Sequence, residues 1–251
     1  TTAATTAAAV GRGGTRRIGI VPDAPVSSLS VPSPPRPANF SDGSAARTTL
    51  FAPRALTVGM AFDPTATAVV VVDMQNGFCH PDGSLYAEPS EAAVEPVTAL
   101  VDRAREAGAS VVYTRDVHPP EQFDETHYYD EFDRWGEHVV EGSWDAELVA
   151  DLDVRDDDHV VEKHTYDAFY RTDLEGYLDA HGIDDLLICG TLANVCVLHT
   201  AGSAGLRDYR PVVVEDALGY ITAEHREYAV DHADWLFGET ATRAEVAFAS
   251  E

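Results

Sequence analysis

Lysine is almost missing from this sequence. Lys163 is the one lysine in 251 residues, and the other sixteen strong bases are arginines. Cysteine and methionine are scarce as well, at three and two. An odd number of cysteines with no CxxC spacing gives neither a disulfide framework nor a structural zinc site, and fits a reducing interior. No apolar run approaches the roughly 18 residues that a membrane-spanning helix needs. The first residues, TTAATTAAAV, lack the charged start and long apolar stretch of a secretory signal. These absences predict a cytoplasmic protein with no membrane partner.

Negative charge is what the chain has in excess. There are 43 acids against 17 strong bases, a formal charge of −26, where a small domain carries roughly 2–8 in magnitude. Such self-repulsion loosens a fold in dilute buffer, and about 1 M salt, with a screening length near 3 Å, relieves it. The acids are spread along the body, in clusters no longer than runs such as Asp156-Asp157-Asp158. That pattern favours a salt-rich cytoplasm over an acidic docking block. The same field repels phosphate, so nucleic acid is not an expected partner. On a surface that avoids lysine, the single lysine kept is expected to serve chemistry.

Composition changes near residue 60. Residues 1–59 hold two acids, six arginines and seven of the fourteen prolines, whereas 60–251 carry 41 acids and 11 strong bases. The first segment reads as a disordered extension. Met60 stands at the boundary, and we expect the natural chain to begin there, with 1–59 translated upstream sequence. Residues 60–251 form one domain.

Within that domain short apolar runs alternate with helical patterns. TAVVVVD (67–73) is a continuous β-branched run, as in a strand buried on both faces. Residues 110–116, 158–163, 185–190 and 210–216 read the same way. Helices are predicted over 90–108, with Val94, Val97, Leu100 and Val101 on one face and Gly108 ending it, and at about 173–181, 195–207 and 223–236. The alternation predicts a three-layer α/β/α fold with a mostly parallel sheet, whose functional residues gather beyond the carboxyl ends of the strands.

Asp73, Asp116 and Lys163 end three of those strands, and Cys196 opens the helix after the fourth. A helix start and a nearby ammonium both lower a thiol pKa, and a carboxylate can take the thiol proton. Acid, lysine and cysteine at one sheet edge would make a nucleophilic hydrolase. The blander readings are a strand-end cap for Asp73, a core position for Cys196 and a surface ion pair for Lys163. Cys79 and Cys189 read as core residues.

Three segments, DMQNGFCHPDGSL (73–85), EKHTYDAF (162–169) and GTLANVCV (190–197), resemble the catalytic segments of the isochorismatase-like cysteine hydrolases, in order and in spacing. The resemblance, which covers nearly all of 60–240, implies an Asp73–Lys163–Cys196 triad. It also implies a cis Thr191–Leu192 peptide and an oxyanion hole of the Leu192 and Cys196 backbone N–H groups. Isochorismatase itself does without the cysteine, so Cys196 points to the amidases of the family. Asp116, His118 and His138 resemble the metal site of nicotinamidases, which implies a zinc, iron or manganese ion and no organic cofactor. Phe78, Trp135 and Tyr166 would wall the substrate ring.

The sequence departs from the nicotinamidase pattern at several positions. Gly136 and Val139 replace a usual Pro and a frequent Cys, and the nearest candidate for a further ligand, His127, lies nine residues beyond His118. LANVC also reads more like ureidoacrylate or N-carbamoyl amidohydrolases. The expected activity is nicotinamide hydrolysis in NAD salvage. The alternatives are another amidohydrolase of the family and a non-catalytic scaffold of the same fold. HYYDEFDRW (127–135) is either a lid or loop packing. The remaining histidines are assigned no role. Members of the family often self-associate, though no seam is visible in this chain.

Overall fold

A computed structural model describes residues 59–124 and 131–249. The extension expected over 1–59 lies, apart from Gly59, outside the described residues, and so does His127. In chain order the elements are β1 (Met60–Phe62), β2 (Thr67–Val72), α1 (Asn76–Cys79), α2 (Glu88–Ala92), α3 (Val94–Ala107), β3 (Ser110–Asp116) and α4 (Glu131–Trp135). They continue with β4 (His159–Lys163), α5 (Leu174–His181), β5 (Asp185–Gly190), α6 (Leu198–Gly205), β6 (Arg210–Leu218), α7 (Ala223–His232), β7 (Glu239–Ala241) and β8 (Val246–Phe248).

Six strands form one sheet in the order β4-β3-β2-β5-β6-β7, with every pairing parallel. All six residues of β2 are buried, as its unbroken apolar run predicts. Each valine so enclosed contributes about 1.5–3 kcal/mol relative to an exposed one. One apolar cluster packs α3 onto one face of the sheet, and a second packs α5, α6 and α7 onto the other. The fold is therefore the expected α/β/α sandwich. Strands β1 and β8 pair separately, Met60 opposite Val246.

Two helices differ from expectation. The long pattern over 90–108 is divided at Ala93 into α2 and α3, and α3 buries Val97, Leu100, Val101 and Ala104, with Val94 half-buried. The helix expected from 195 begins instead with a π-helical turn, Ala193–Val197, before α6. That wide turn carries Cys196.

The chain runs outward from β2 through β3 to β4, then crosses back to place β5 on the other side of β2. The crossover opens a crevice at the carboxyl ends of the central strands, where ligands bind in open parallel sheets. Gly190 ends β5 with φ +108°, and a Cβ there would strike the Val72 backbone. Glycine thus lets the chain turn tightly against β2 into Thr191–Cys196.

Candidate active site

Three adjacent strand ends supply the charged groups, and the turn after β5 brings Cys196. Asp116 and Lys163 are register partners at the ends of β3 and β4. Asp73 follows β2 in the left-handed region, φ +49°, which aspartate tolerates better than most residues. Asp73, Asp116, Lys163 and Cys196 are all buried.

The Lys163 ammonium lies at the centre. Its Nζ is 2.7 Å from Asp73 Oδ2 and 3.6 Å from Asp116 Oδ2, and it donates to Thr165 O at 2.8 Å and towards Cys196 Sγ at 3.6 Å. Burial alone would lower its pKa, but Asp116 and Asp73 outweigh burial and hold it above the ordinary lysine value. Burial raises the Asp73 carboxyl, against the pull of Lys163. Burial would also raise Asp116, but Lys163 and His118 reverse that and keep it low.

The helix start and the ammonium together predict a lowered Cys196 thiol, and the structure corrects this. Burial pushes the thiol well above its ordinary value; Lys163 opposes that shift, and Asp73 and Asp116 add to it. Burial thus favours the neutral thiol, and a carboxylate oxygen of Asp73 lies within 4.8 Å of the sulfur. Cys79 and Cys189 are buried and outside the site, the former pushed up to about 12 by burial.

Asp73 and Asp116 are each fixed by an uncharged residue that gave no signal in the sequence. Thr114 Oγ1 donates to Asp73 Oδ1 at 2.6 Å. Gln75 clamps the Asp116 backbone, its Nε2 donating to Asp116 O and its Oε1 accepting from Asp116 N, both at 2.8 Å.

Asp116, His118 and His138, all buried, bring one potential ligand atom each within 4.8 Å of the others. His138 Nδ1–H donates to Gly136 O at 2.7 Å, which leaves its lone pair on Nε2. His118 Nδ1 pairs with Gln122 Oε1 at 3.1 Å, which likewise puts the lone pair on Nε2. Such outer contacts fix the tautomer of metal-binding histidines. Burial lowers His138 and so favours the neutral, ligating form. Asp116 Oδ1 is buried with no hydrogen-bond partner. This donor set fits a divalent ion with mixed nitrogen and oxygen ligands.

The glycine departure near His138 has a structural basis, whereas nothing in the structure explains the valine. Gly136 has φ +71°, which proline, locked near −65°, cannot adopt. Val139 also has positive φ, 39°, and there its O accepts from His118 N while its N donates to Asp145 Oδ2. Phe132, from the segment left open as lid or packing, packs edge-on against His118 with ring centroids 5.0 Å apart. Phe132 and Trp135 thus lie against the site, and residues 127–130 of that segment lie outside the described residues.

A cavity of about 580 Å³ opens onto these groups. Its lining includes Cys196, Asp116 and His138 together with the three expected walls, Phe78, Trp135 and Tyr166. Trp135 Nε1 donates to Tyr166 Oη at 3.2 Å. Sequence reasoning missed Tyr86, Glu88 and Ile221, which lie around the same cavity. None of the seven histidines left without a role lines it. The Thr191–Leu192 peptide is cis, as the resemblance implies, and both residues line the cavity beside the sulfur. No helix among the described residues is long and apolar enough to cross a membrane.

Comparison with known proteins identifies the family. The isochorismatase domain family matches residues 67–245. The ureidoacrylate amidohydrolase of Azorhizobium caulinodans is 29% identical over 201 residues, which are 71% of this chain and 88% of that protein. Among solved structures, a cysteine hydrolase from Pseudomonas syringae is 30% identical with a TM-score of 0.68, over 76% of this chain and 95% of that one. N-carbamoylsarcosine amidase from Thermoplasma acidophilum is 32% identical with a TM-score of 0.61, over 72% and 98%. The nicotinamidase/pyrazinamidase of Bacillus subtilis is 26% identical with a TM-score of 0.63, over 70% and 98%. A similar pyrazinamidase from Pyrococcus horikoshii was solved in complex with zinc.

Proposed function

The chain belongs to the isochorismatase family, and we propose that within it this protein is a cysteine amidohydrolase, with nicotinamide as the best-fitting substrate. The observation that carries the amidase reading is the contact of Lys163 with both Asp73 and Cys196 beneath an open cavity. A scaffold would have no need of a thiol, a carboxylate and an ammonium buried together, because such clusters are costly to enclose.

In the proposed reaction the sulfur attacks the amide carbonyl while Asp73 takes its proton. Lys163 holds Asp73 in place and stabilises negative charge as it passes from carboxylate to sulfur. The backbone N–H groups of Leu192 and Cys196 receive the oxyanion; losing one such donor typically costs a hundredfold or more in rate. Asp73 returns the proton to the leaving nitrogen, ammonia departs, and a thioester remains on Cys196. Asp73 then takes a proton from water, which displaces the thiol and releases the acid.

Two features support nicotinamide. Phe78, Trp135 and Tyr166 form aromatic walls suited to a flat ring, and Asp116, His118 and His138 can hold a divalent ion beside it. The ion would supply a positive centre for the ring nitrogen. The product, nicotinate, would return to NAD. The second reading, an amidohydrolase of the ureidoacrylate or N-carbamoyl type, is favoured by the LANVC segment and by two of the similar proteins above.

Ammonia release from a panel of amides in molar KCl, with Cys196→Ser as control, tests the proposal. Nicotinamide should be hydrolysed, and chelation or His118→Ala should slow it at least tenfold. Nicotinamide turnover that survives both changes would favour the second reading. No Cys196-dependent ammonia from any amide would leave the scaffold.

A further inference from the structure

We propose that the cavity sorts amides by charge, Glu88 and a lining that has no arginine or lysine among the described residues turning away substrates that carry a carboxylate. The inference rests on the amidohydrolase reading and names the substrate class of the same site.

Glu88 and Asp116 both line the cavity, and among the described residues no arginine or lysine does. Residues 125–130, ETHYYD, contain neither arginine nor lysine. Lys163 is enclosed behind Asp73 and Asp116, its ammonium already engaged by Asp73 and Thr165 O. Arg134, beside the wall residue Trp135, is exposed and outside the lining. With an ion on Asp116, His118 and His138 taken up by the ring nitrogen, a carboxylate elsewhere in the cavity would lose its hydration with no arginine or lysine among the described residues to replace it, and burying an unpaired charge is costly. Glu88 stands exposed at the first position of α2, so it meets such a substrate as it arrives. A substrate with an uncharged body meets neither penalty. Ureidoacrylate and N-carbamoylsarcosine are both carboxylic acids, so the rule separates this chain from the relatives that bear those names.

The test uses three amides on one ring: nicotinamide, 5-carbamoylnicotinate and its methyl ester. The ester matches the acid in shape without its charge. Ammonia release gives kcat/KM in metal-loaded wild type, E88Q and E88K. Affinity for the ester and the acid is read separately from tryptophan fluorescence in Cys196→Ala, since Trp135 lines the cavity. The acid should be at least a hundredfold poorer than the ester in wild type. E88Q should narrow that ratio roughly fivefold, the effect of one like charge near contact distance in water, and E88K should narrow it further. Equal use and equal binding of acid and ester would overturn the proposal, and a ratio unmoved in both variants would remove Glu88 from it. If nicotinamide is not hydrolysed but Cys196→Ala still prefers the ester, the nicotinamide reading fails and the charge rule stands. Nicotinamide hydrolysis with acid and ester taken equally is the reverse result.

Discussion

Replacing Lys163 by methionine keeps most of the side-chain length and removes the only charge that separates two buried carboxylates. In the wild type its ammonium lies 2.7 Å from Asp73 and 3.6 Å from Asp116. At an effective dielectric of about 20 those attractions are worth roughly 6 and 5 kcal/mol before desolvation. Desolvation cancels much of that, so the expected loss on removing one member of the cluster is about 3–5 kcal/mol. In K163M both carboxylates should titrate above their unfolded values. A carboxyl raised in the folded state favours folding at low pH, and that contribution is lost as pH rises through its folded pKa. The variant's deficit should therefore shrink in mild acid and grow towards neutrality. Asp73, protonated at neutral pH, could no longer act as base, which should lower kcat by about a thousandfold. Denaturant unfolding across a pH series, beside ammonia release, reads both effects. A variant within about 1 kcal/mol of wild type at neutral pH, with no pH-dependent difference, would refute this electrostatic reasoning.

Two further outcomes follow from the same geometry. Because burial raises Asp73, the acid limb of kcat/KM should lie above the ordinary carboxylate range, with activity lost as pH falls through that raised value. Full activity down to the ordinary range would contradict it. Gln122→Ala, which removes the partner of His118 Nδ1, should weaken metal affinity about 10- to 100-fold in a direct metal titration while Cys196 alkylates normally. Unchanged affinity would show that Gln122 does not orient the ligand.

The sequence made the sheet legible wherever a strand is enclosed on both faces. The unbroken run Ala68–Val72 has no other comfortable place. Strands β1, β7 and β8, each three residues long, carry too few positions for any periodicity to show. The division at Ala93 was invisible because α2 and α3 keep a shared helical pattern across it. At the site, charged and sulfur-bearing residues at strand ends stand out against an apolar strand. Thr114, Gln75 and Gln122 do not, because their role depends on partners between 4 and 71 residues away along the chain. The direction of the Cys196 shift was misread for a related reason. A helix start and a lysine are visible in sequence, whereas full enclosure of the sulfur is a property of packing.

The most direct test of the triad is the alkylation rate of each cysteine by iodoacetamide, followed by peptide mass spectrometry with and without nicotinamide. Cys196 opens onto the cavity and in the proposed reaction passes its proton to Asp73, whereas Cys79 and Cys189 are shut in the core. Cys196 should be modified far faster than the other two, be protected by substrate, and slow sharply in Asp73→Asn. Equal labelling of all three cysteines, indifferent to substrate and to Asp73, would contradict a catalytic sulfur at this position.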